Sequence, residues 1–193
     1  MTQPKILALA GSTRTRSWNQ MLLNVAATCC EEEGADVTRV SFAEYPLPIF
    51  NEDLEEKGSP ECLLPLQKLF LEHDGFLIAS PEYNSSVTPL LKNVIDWVSR
   101  PFEDHPPLAA YRGKAAGLIA ASPGKLGGLR GLVHLRAILQ NIGVTVVPEQ
   151  FALPLAQGAF EEAGSLKGQQ QQSFVEGVAR SLVRTAAALK TAR

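Results

Sequence analysis

Five short apolar runs punctuate the chain, separated by longer stretches whose apolar positions recur every 3.6 residues. The runs are KILALA (5–10), ADVTRVSF (35–42), GFLIAS (75–80), AAGLIAA (115–121) and VTVVPEQFAL (144–153). Three of them are apolar along almost their whole length, the pattern of strands buried on both faces of a parallel sheet. Helical periods fall at 18–33, 60–73, 89–100, 128–142 and 169–191. The last opens on the polar tract GQQQQS, which reads either as a solvated helix face or as a linker. Alternation of this kind predicts a doubly wound α/β fold, a single domain over 1–193. By analogy with other doubly wound sheets of five strands, the order is 2-1-3-4-5. Ligands then bind outside the carboxyl ends of strands 1 and 3, where the order reverses.

Capping signals sharpen two helix starts. Ser17 and Gln20 have the S-x-x-Q spacing of a capping box. Thr88 followed by Pro89 puts a hydroxyl at the N-cap and proline at the first helical position. That helix carries Leu90, Leu91, Val94, Ile95 and Val98 on one face and ends before Pro101. Gly34 and Gly143 occupy C-terminal positions where a left-handed backbone closes a helix. The Pro-rich stretches 43–60 and 101–112 read as loops long enough to be functional or to cover a partner surface.

Composition narrows the class. The chain has 193 residues, 45% hydrophobic and 20% charged, with a net charge of −2. There is no basic excess to favour nucleic acid, and no apolar run approaches the ~20 residues that span a bilayer. The start MTQPKILALAGS carries no basic leader, so the expected address is cytoplasmic. The three cysteines, Cys29, Cys30 and Cys62, form no CxxC and no even framework, and read as small buried residues. No metal site is expected.

Chemistry is sought in the loops leaving strands 1, 3 and 4. The first, GSTRTRSWN (11–19), ends at a helix N-terminus, where unpaired N–H groups and a partial positive charge favour an anion. Ser12, Ser17 and Thr13 add hydroxyls, Arg14 and Arg16 add cationic forks, and Asn19 offers an amide to the same anion. The loop lacks both the P-loop lysine pattern and G-x-G-x-x-G, so a mononucleotide phosphate fits it best. In the second loop, SPEYNSSVTP (80–89), Pro81 fixes the backbone and Tyr83 is placed to flank a flat ring. Asn84 and Ser85 either hold the turn or hydrogen-bond a heterocycle, and Glu82 reads as a cap or interface residue ahead of an acid. The third, SPGKLGG (122–128), brings Ser122, Gly124 and Gly127 close to whatever fills the crevice, or is simply a flexible turn. His73, His105 and His134 neighbour no nucleophile, so no hydrolytic triad is present. An enzyme built this way depends on a cofactor for its chemistry.

These three loops, with K-N-x-I-D-W at Lys92 to Trp97, closely resemble the NADPH-dependent FMN reductase family, which includes bacterial chromate, quinone and azo-dye reductases. Gly11, Ser12, Arg14, Ser17 and Asn19 meet its G-S-x-R-x-x-S-x-N signature. Pro81, Glu82, Tyr83 and Asn84 meet its P-E-Y-N signature, and Ser122, Gly124, Gly127 and Gly128 its glycine-rich turn. The likeness runs from about residue 4 to 155. It implies a flavodoxin-like three-layer sandwich holding FMN, with the phosphate at 12–19 and the ring against 81–85 and 122–128. NADPH or NADH would deliver a hydride to the flavin, and a quinone, azo compound, chromate or free flavin would remove it. The resemblance also implies a homodimer or homotetramer, with Asp96, Trp97 and Arg100 as contact residues, although Asp96 and Arg100 also have the spacing of a surface i,i+4 pair. Trp18 is an unusually bulky residue for the phosphate loop. A flavodoxin-type electron carrier without its own substrate is the alternative, and the near-neutral charge and Arg14 speak against it.

Overall fold

A computed structural model describes residues 3–192. Its elements follow the chain as β1 (Lys5–Ala10), α1 (Trp18–Glu32), β2 (Asp36–Val40), a short α2 (Glu52–Glu56), α3 (Leu63–Glu72), β3 (Gly75–Ala79), α4 (Pro89–Val98), β4 (Ala115–Ala121), α5 (Leu129–Asn141), β5 (Thr145–Leu153) and α6 (Gln169–Thr191). All strand pairs are parallel and the order is β2-β1-β3-β4-β5. This is the flavodoxin-like arrangement expected from the apolar runs.

Side-chain alternation on the central strands supplies two separate cores. Ile6, Ala8 and Ala10 of β1, Leu77 and Ala79 of β3, and Ile119 of β4 pack under α1 and α6. Leu7, Leu9, Phe76, Ile78, Leu118 and Ala120 point the other way, under α3, α4 and α5. Period 2 in the strands thus requires a helical layer on each face, and near-continuous apolar runs are the result. The register of β4 on β5 slips between Ala116 and Leu118, opposite Pro148, which has no N–H to give and is tolerated on this edge strand.

The uncertain C-terminal tract is helical. α6 buries Val175, Val178, Ala179, Leu182, Val183 and Ala186, and the polar tract lies on its outer face, with Gln172 donating to Cys29 Sγ (3.4 Å) and Glu176 (3.1 Å). Both expected N-caps form, Ser17 Oγ accepting from Gln20 N–H (3.4 Å) and Thr88 Oγ1 from Leu91 N–H (3.2 Å). The reciprocal half of the capping box does not form, because Ser17 N–H bonds Arg14 O and the Gln20 amide turns to Asn24.

The loop 43–60 is stapled to α4, which corrects the expectation for that helix. Asn93 accepts from Phe50 N–H (2.8 Å) and donates to Pro48 O (2.8 Å), and the Trp97 indole N–H also donates to Pro48 O (2.7 Å). Trp97 is fully buried against the Phe50 ring, their centroids 4.9 Å apart. Arg100 pairs with Glu55 and Asp96 with Lys92. Trp97 is thus engaged inside its own chain, while Asp96 and Arg100 keep part of their surface exposed beside these intrachain partners.

Behind α4, the hydroxyl of Tyr111 is buried without a hydrogen-bond partner among the described residues. Burial, then the charge of Asp96, push its phenol well above the ordinary range. Tyr111→Phe deletes a group that costs about 1 kcal/mol or more to bury unpaired. The ring contacts with Phe70 and Phe76 are kept. The melting temperature is expected to rise by roughly 2–4 °C, read by thermal denaturation, and a fall would mean the hydroxyl has a partner.

Candidate functional site

The three loops examined above meet where β1 and β3 end. Gly11 N–H continues the β1–β3 ladder to Ala79 O (2.9 Å), and Gly11 O accepts from the Thr88 hydroxyl (2.9 Å). The first loop is therefore pinned at its base while residues 12–16 arch outward. Within the loop, Arg14 N–H bonds Ser12 Oγ (3.3 Å) and Ser17 N–H bonds Arg14 O (3.1 Å). Among the described residues no partner is seen for the N–H groups of Ser12, Thr13, Thr15, Arg16, Trp18 and Asn19. Open donors converging at the start of α1 make an anion cradle. The Arg14 guanidinium lies over the Trp18 ring, 5.0 Å from its centroid, which holds the cation at the rim and gives Trp18 a role. Arg16 is exposed and points away from the cavity.

A cavity of about 180 Å³ occupies this position. Ser12, Arg14, Ser17, Trp18 and Asn19 form one side of it, Pro81, Glu82 and Tyr83 another, and Ala121, Ser122 and Pro123 the third. Its volume is below the ~300–1,000 Å³ of a whole small-molecule pocket. It is large enough for the phosphate end of a nucleotide, and Tyr83, 54% exposed, lines its edge. The donor set therefore fits FMN. A larger cavity of about 560 Å³ lies between α1 and residues 163–172. None of the three strand-exit loops lines it, so the smaller cavity, at the β1/β3 reversal, is the better site.

Eight of the residues expected at the site line the cavity, and four do not. Asn84 and Ser85 have φ of 50° and 67° and form a two-residue turn closed by paired bonds between Tyr83 and Ser86 (both 3.0 Å). Successive positive φ values are the requirement of a type I′ hairpin, so these two residues shape the loop that presents Tyr83. Gly127 (φ +64°) lies against β5, where a Cβ would come within 2.6 Å of the Ala152 carbonyl carbon. Its glycine is needed for that approach, not for a ligand. Gly124 donates to Ser122 Oγ (3.2 Å) and accepts from Gly127 N–H (3.2 Å), holding the third loop's own turn.

Of two further lining residues, Glu82 takes the cap role read for it and Asn19 takes a job that spacing did not disclose. Glu82 caps α5, accepting from Gly131 N–H (3.1 Å) and from Arg130 Nε (2.8 Å). Burial is the largest single influence on Glu82 and opposes its ionisation. The Arg130 and Gly131 bonds with the Arg130 charge outweigh it and hold the carboxyl below its usual value. It is thus an ionised cap and not an acid. Asn19 is buried at 4% exposure, and its side chain spans to Ala121. Among the described residues no group of three or more His, Cys, Asp or Glu side chains is placed to hold a metal. Burial pushes the Cys30 thiol up to about 12, leaving it unreactive.

A doubly wound sheet with an anion cradle at its β1/β3 reversal defines a mononucleotide-binding protein of the flavodoxin type. Within that class the chain belongs to the NADPH-dependent FMN reductase family, which it matches over residues 4–158. It is 36% identical over 192 residues to an NAD(P)H:quinone oxidoreductase of Solanum tuberosum, covering 96% of this chain and 94% of that one. It is 31% identical over 177 residues to an NAD(P)H-dependent FMN reductase of Pseudomonas aeruginosa, covering 89% of each. Among solved structures, the flavoenzyme FerB, an NAD(P)H:(acceptor) oxidoreductase from Paracoccus denitrificans, superposes with a TM-score of 0.81 at 27% identity, over 96% of this chain and 98% of that one. The protein is an oxidoreductase enzyme whose cofactors are FMN and NAD(P)H.

Proposed function

We propose that this protein passes reducing equivalents from NAD(P)H through FMN seated in the β1/β3 crevice to a small-molecule acceptor, a quinone foremost. The observation that carries the placement is the set of open N–H donors at the start of α1, framed by Ser12, Arg14 and Ser17. These residues would bind the phosphate, the Tyr83 hairpin would flank the ring, and Ser122 with the following turn would bound its other edge. FMN, when bound, supplies the ability to take a hydride and return electrons. The chain's part is to orient it, to leave one ring face open for alternating substrates, and to keep charge near the phosphate end. No side chain in the cavity is placed as a general acid or base, since Glu82 is consumed as a cap. The quinone acceptor is supported by relatives named for quinone reduction in both plants and pseudomonads.

A homodimer or homotetramer is proposed with this function, on the family resemblance of the sequence motifs. Among the described residues no helix is long and apolar enough to cross a membrane; a single cytoplasmic domain is the reading that accords with this. Anaerobic mixing of the FMN-loaded protein with NADPH, and separately with NADH, is expected to bleach the flavin absorbance. Added benzoquinone should then restore it. Failure of both nucleotides to bleach the flavin, with rapid reduction by a protein donor, would replace this reading with that of an electron carrier.

A further inference from the structure

Ala121 ends β4 and has a partner problem. A residue in a parallel ladder presents its N–H and C=O to the same neighbouring strand. Ser122 N–H turns toward β5, where it bonds Leu153 O (3.1 Å), so both groups of Ala121 face the β3 side. There the ladder has already stopped: its last bond is Ser80 N–H to Ile119 O (2.9 Å), and Pro81 then turns the chain away into the Tyr83 hairpin. Buried backbone groups left unpaired at this point would be costly.

Asn19 fills the gap from a position 102 residues earlier in the chain. Its Nδ2 donates to Ala121 O (2.8 Å), and its Oδ1 accepts from Ala121 N–H (2.9 Å). A carboxamide carries the same donor and acceptor as a peptide group, so the side chain substitutes for the missing stretch of β3. It does so from the second residue of α1, two positions after the Ser17 cap, on the element that presents the open donors.

We infer that Asn19 is a positioning residue: its side chain locks the first turn of α1 to the end of β4, and so sets the spacing between the phosphate cradle and the Ser122 turn. The sequence expectation is that the Asn19 amide binds the anion directly; its Oδ1 and one Nδ2 hydrogen are taken up by Ala121, which makes the lock the first demand on this side chain and leaves one hydrogen of the amide over. The consequence for flavin rests on the FMN reading of the crevice, while the lock itself does not. A direct phosphate ligand matters to FMN alone. A spacer between two walls matters to any flavin, with or without its phosphate.

Two measurements on Asn19→Leu, with Asn19→Ser as the smaller variant should leucine fail to fold, test the inference. In the apoprotein, amide hydrogen exchange at Ala121 is expected to accelerate by tenfold or more while Leu118 and Ile119 exchange as before. Unchanged exchange at Ala121 would remove the lock. In the binding arm, Kd for FMN and Kd for riboflavin are expected to rise by a common factor on the order of tenfold. A rise for FMN alone would overturn the inference and make Asn19 a phosphate ligand, and no rise for either would overturn the spacing role. If wild-type protein binds no flavin at all, the functional reading fails, and the exchange arm still decides the lock.

Discussion

Changing Arg14 and Ser17 together to alanine is expected to weaken FMN binding by about two to four orders of magnitude, since each charge-assisted bond to a phosphate contributes about 1.5–3 kcal/mol. Riboflavin affinity should stay within about twofold of wild type, because the two side chains address the phosphate end and leave the Tyr83 hairpin intact. The folding cost is smaller and separable. Ser17 caps α1 through a single 3.4 Å bond to Gln20 N–H, and such a cap is worth about 1 kcal/mol. Arg14 is exposed and contributes its contact with Trp18, worth about 0.5–1 kcal/mol at a surface. Together these predict a fall of roughly 3–8 °C in apoprotein melting temperature, too little to unfold the cradle at assay temperature. Isothermal titration with FMN and riboflavin in parallel measures the split. Equal weakening for both ligands would mean that residues 12–17 shape the crevice without reading phosphate.

That comparison depends on features that could be read from the chain to different degrees. All five strands and the layered α/β class were legible because apolar runs of strand length, spaced by helical periods, permit few other layer arrangements, whereas the sheet order came by analogy with other five-stranded doubly wound sheets. Ser17 and Thr88 were legible because capping is local: hydroxyl and acceptor lie within one turn. Asn19 and Trp97 were not, since the partners that define them lie 102 and 49 residues away; for Glu82 the cap role was legible, but not the helix it caps, 48–49 residues on. The spacing of Asn19 to Ser17 announced an amide near an anion site, and only the early exit of β3 at Pro81 shows why it is used elsewhere. For Trp97 the family resemblance implied a partner chain, whereas the 43–60 loop folds back and buries the indole itself. The missed signal was the composition of that loop: Tyr45, Leu47 and Phe50, which pack on the core, are too apolar for a solvated connection. At Gly127 the residue type was informative but the reason differed, close approach to β5 instead of approach to a ligand.

The largest stability effect is expected at the opposite end of the sheet, from Lys114→Met. Lys114 precedes β4 and is 2% exposed. Its Nζ donates to Phe70 O (2.6 Å), to Leu71 O (2.7 Å) and to His73 O, the carbonyls at the C-terminus of α3 that lack helical partners. An ammonium has three hydrogens, so the match in number is complete, and the negative end of the helix dipole favours the charge. Methionine fills similar volume but donates nothing. Leaving these carbonyls buried without a donor costs about 1–3 kcal/mol apiece, partly offset by no longer having to desolvate an ammonium. A net loss of roughly 3–5 kcal/mol follows, seen as a melting temperature lower by about 6–20 °C. Lys114→Arg should not rescue it, because a planar fork spreads its donors and cannot converge on three carbonyls around one point. At low temperature, where the variant remains folded, FMN stoichiometry and Kd are expected to be unchanged, for Lys114 sits at the amino end of β4 and the cradle at its carboxyl end. A variant that lost flavin affinity while keeping its melting temperature would contradict this division. The sheet would then couple its two ends, and the strand exits could not be treated as a site mounted on an independently stabilised base.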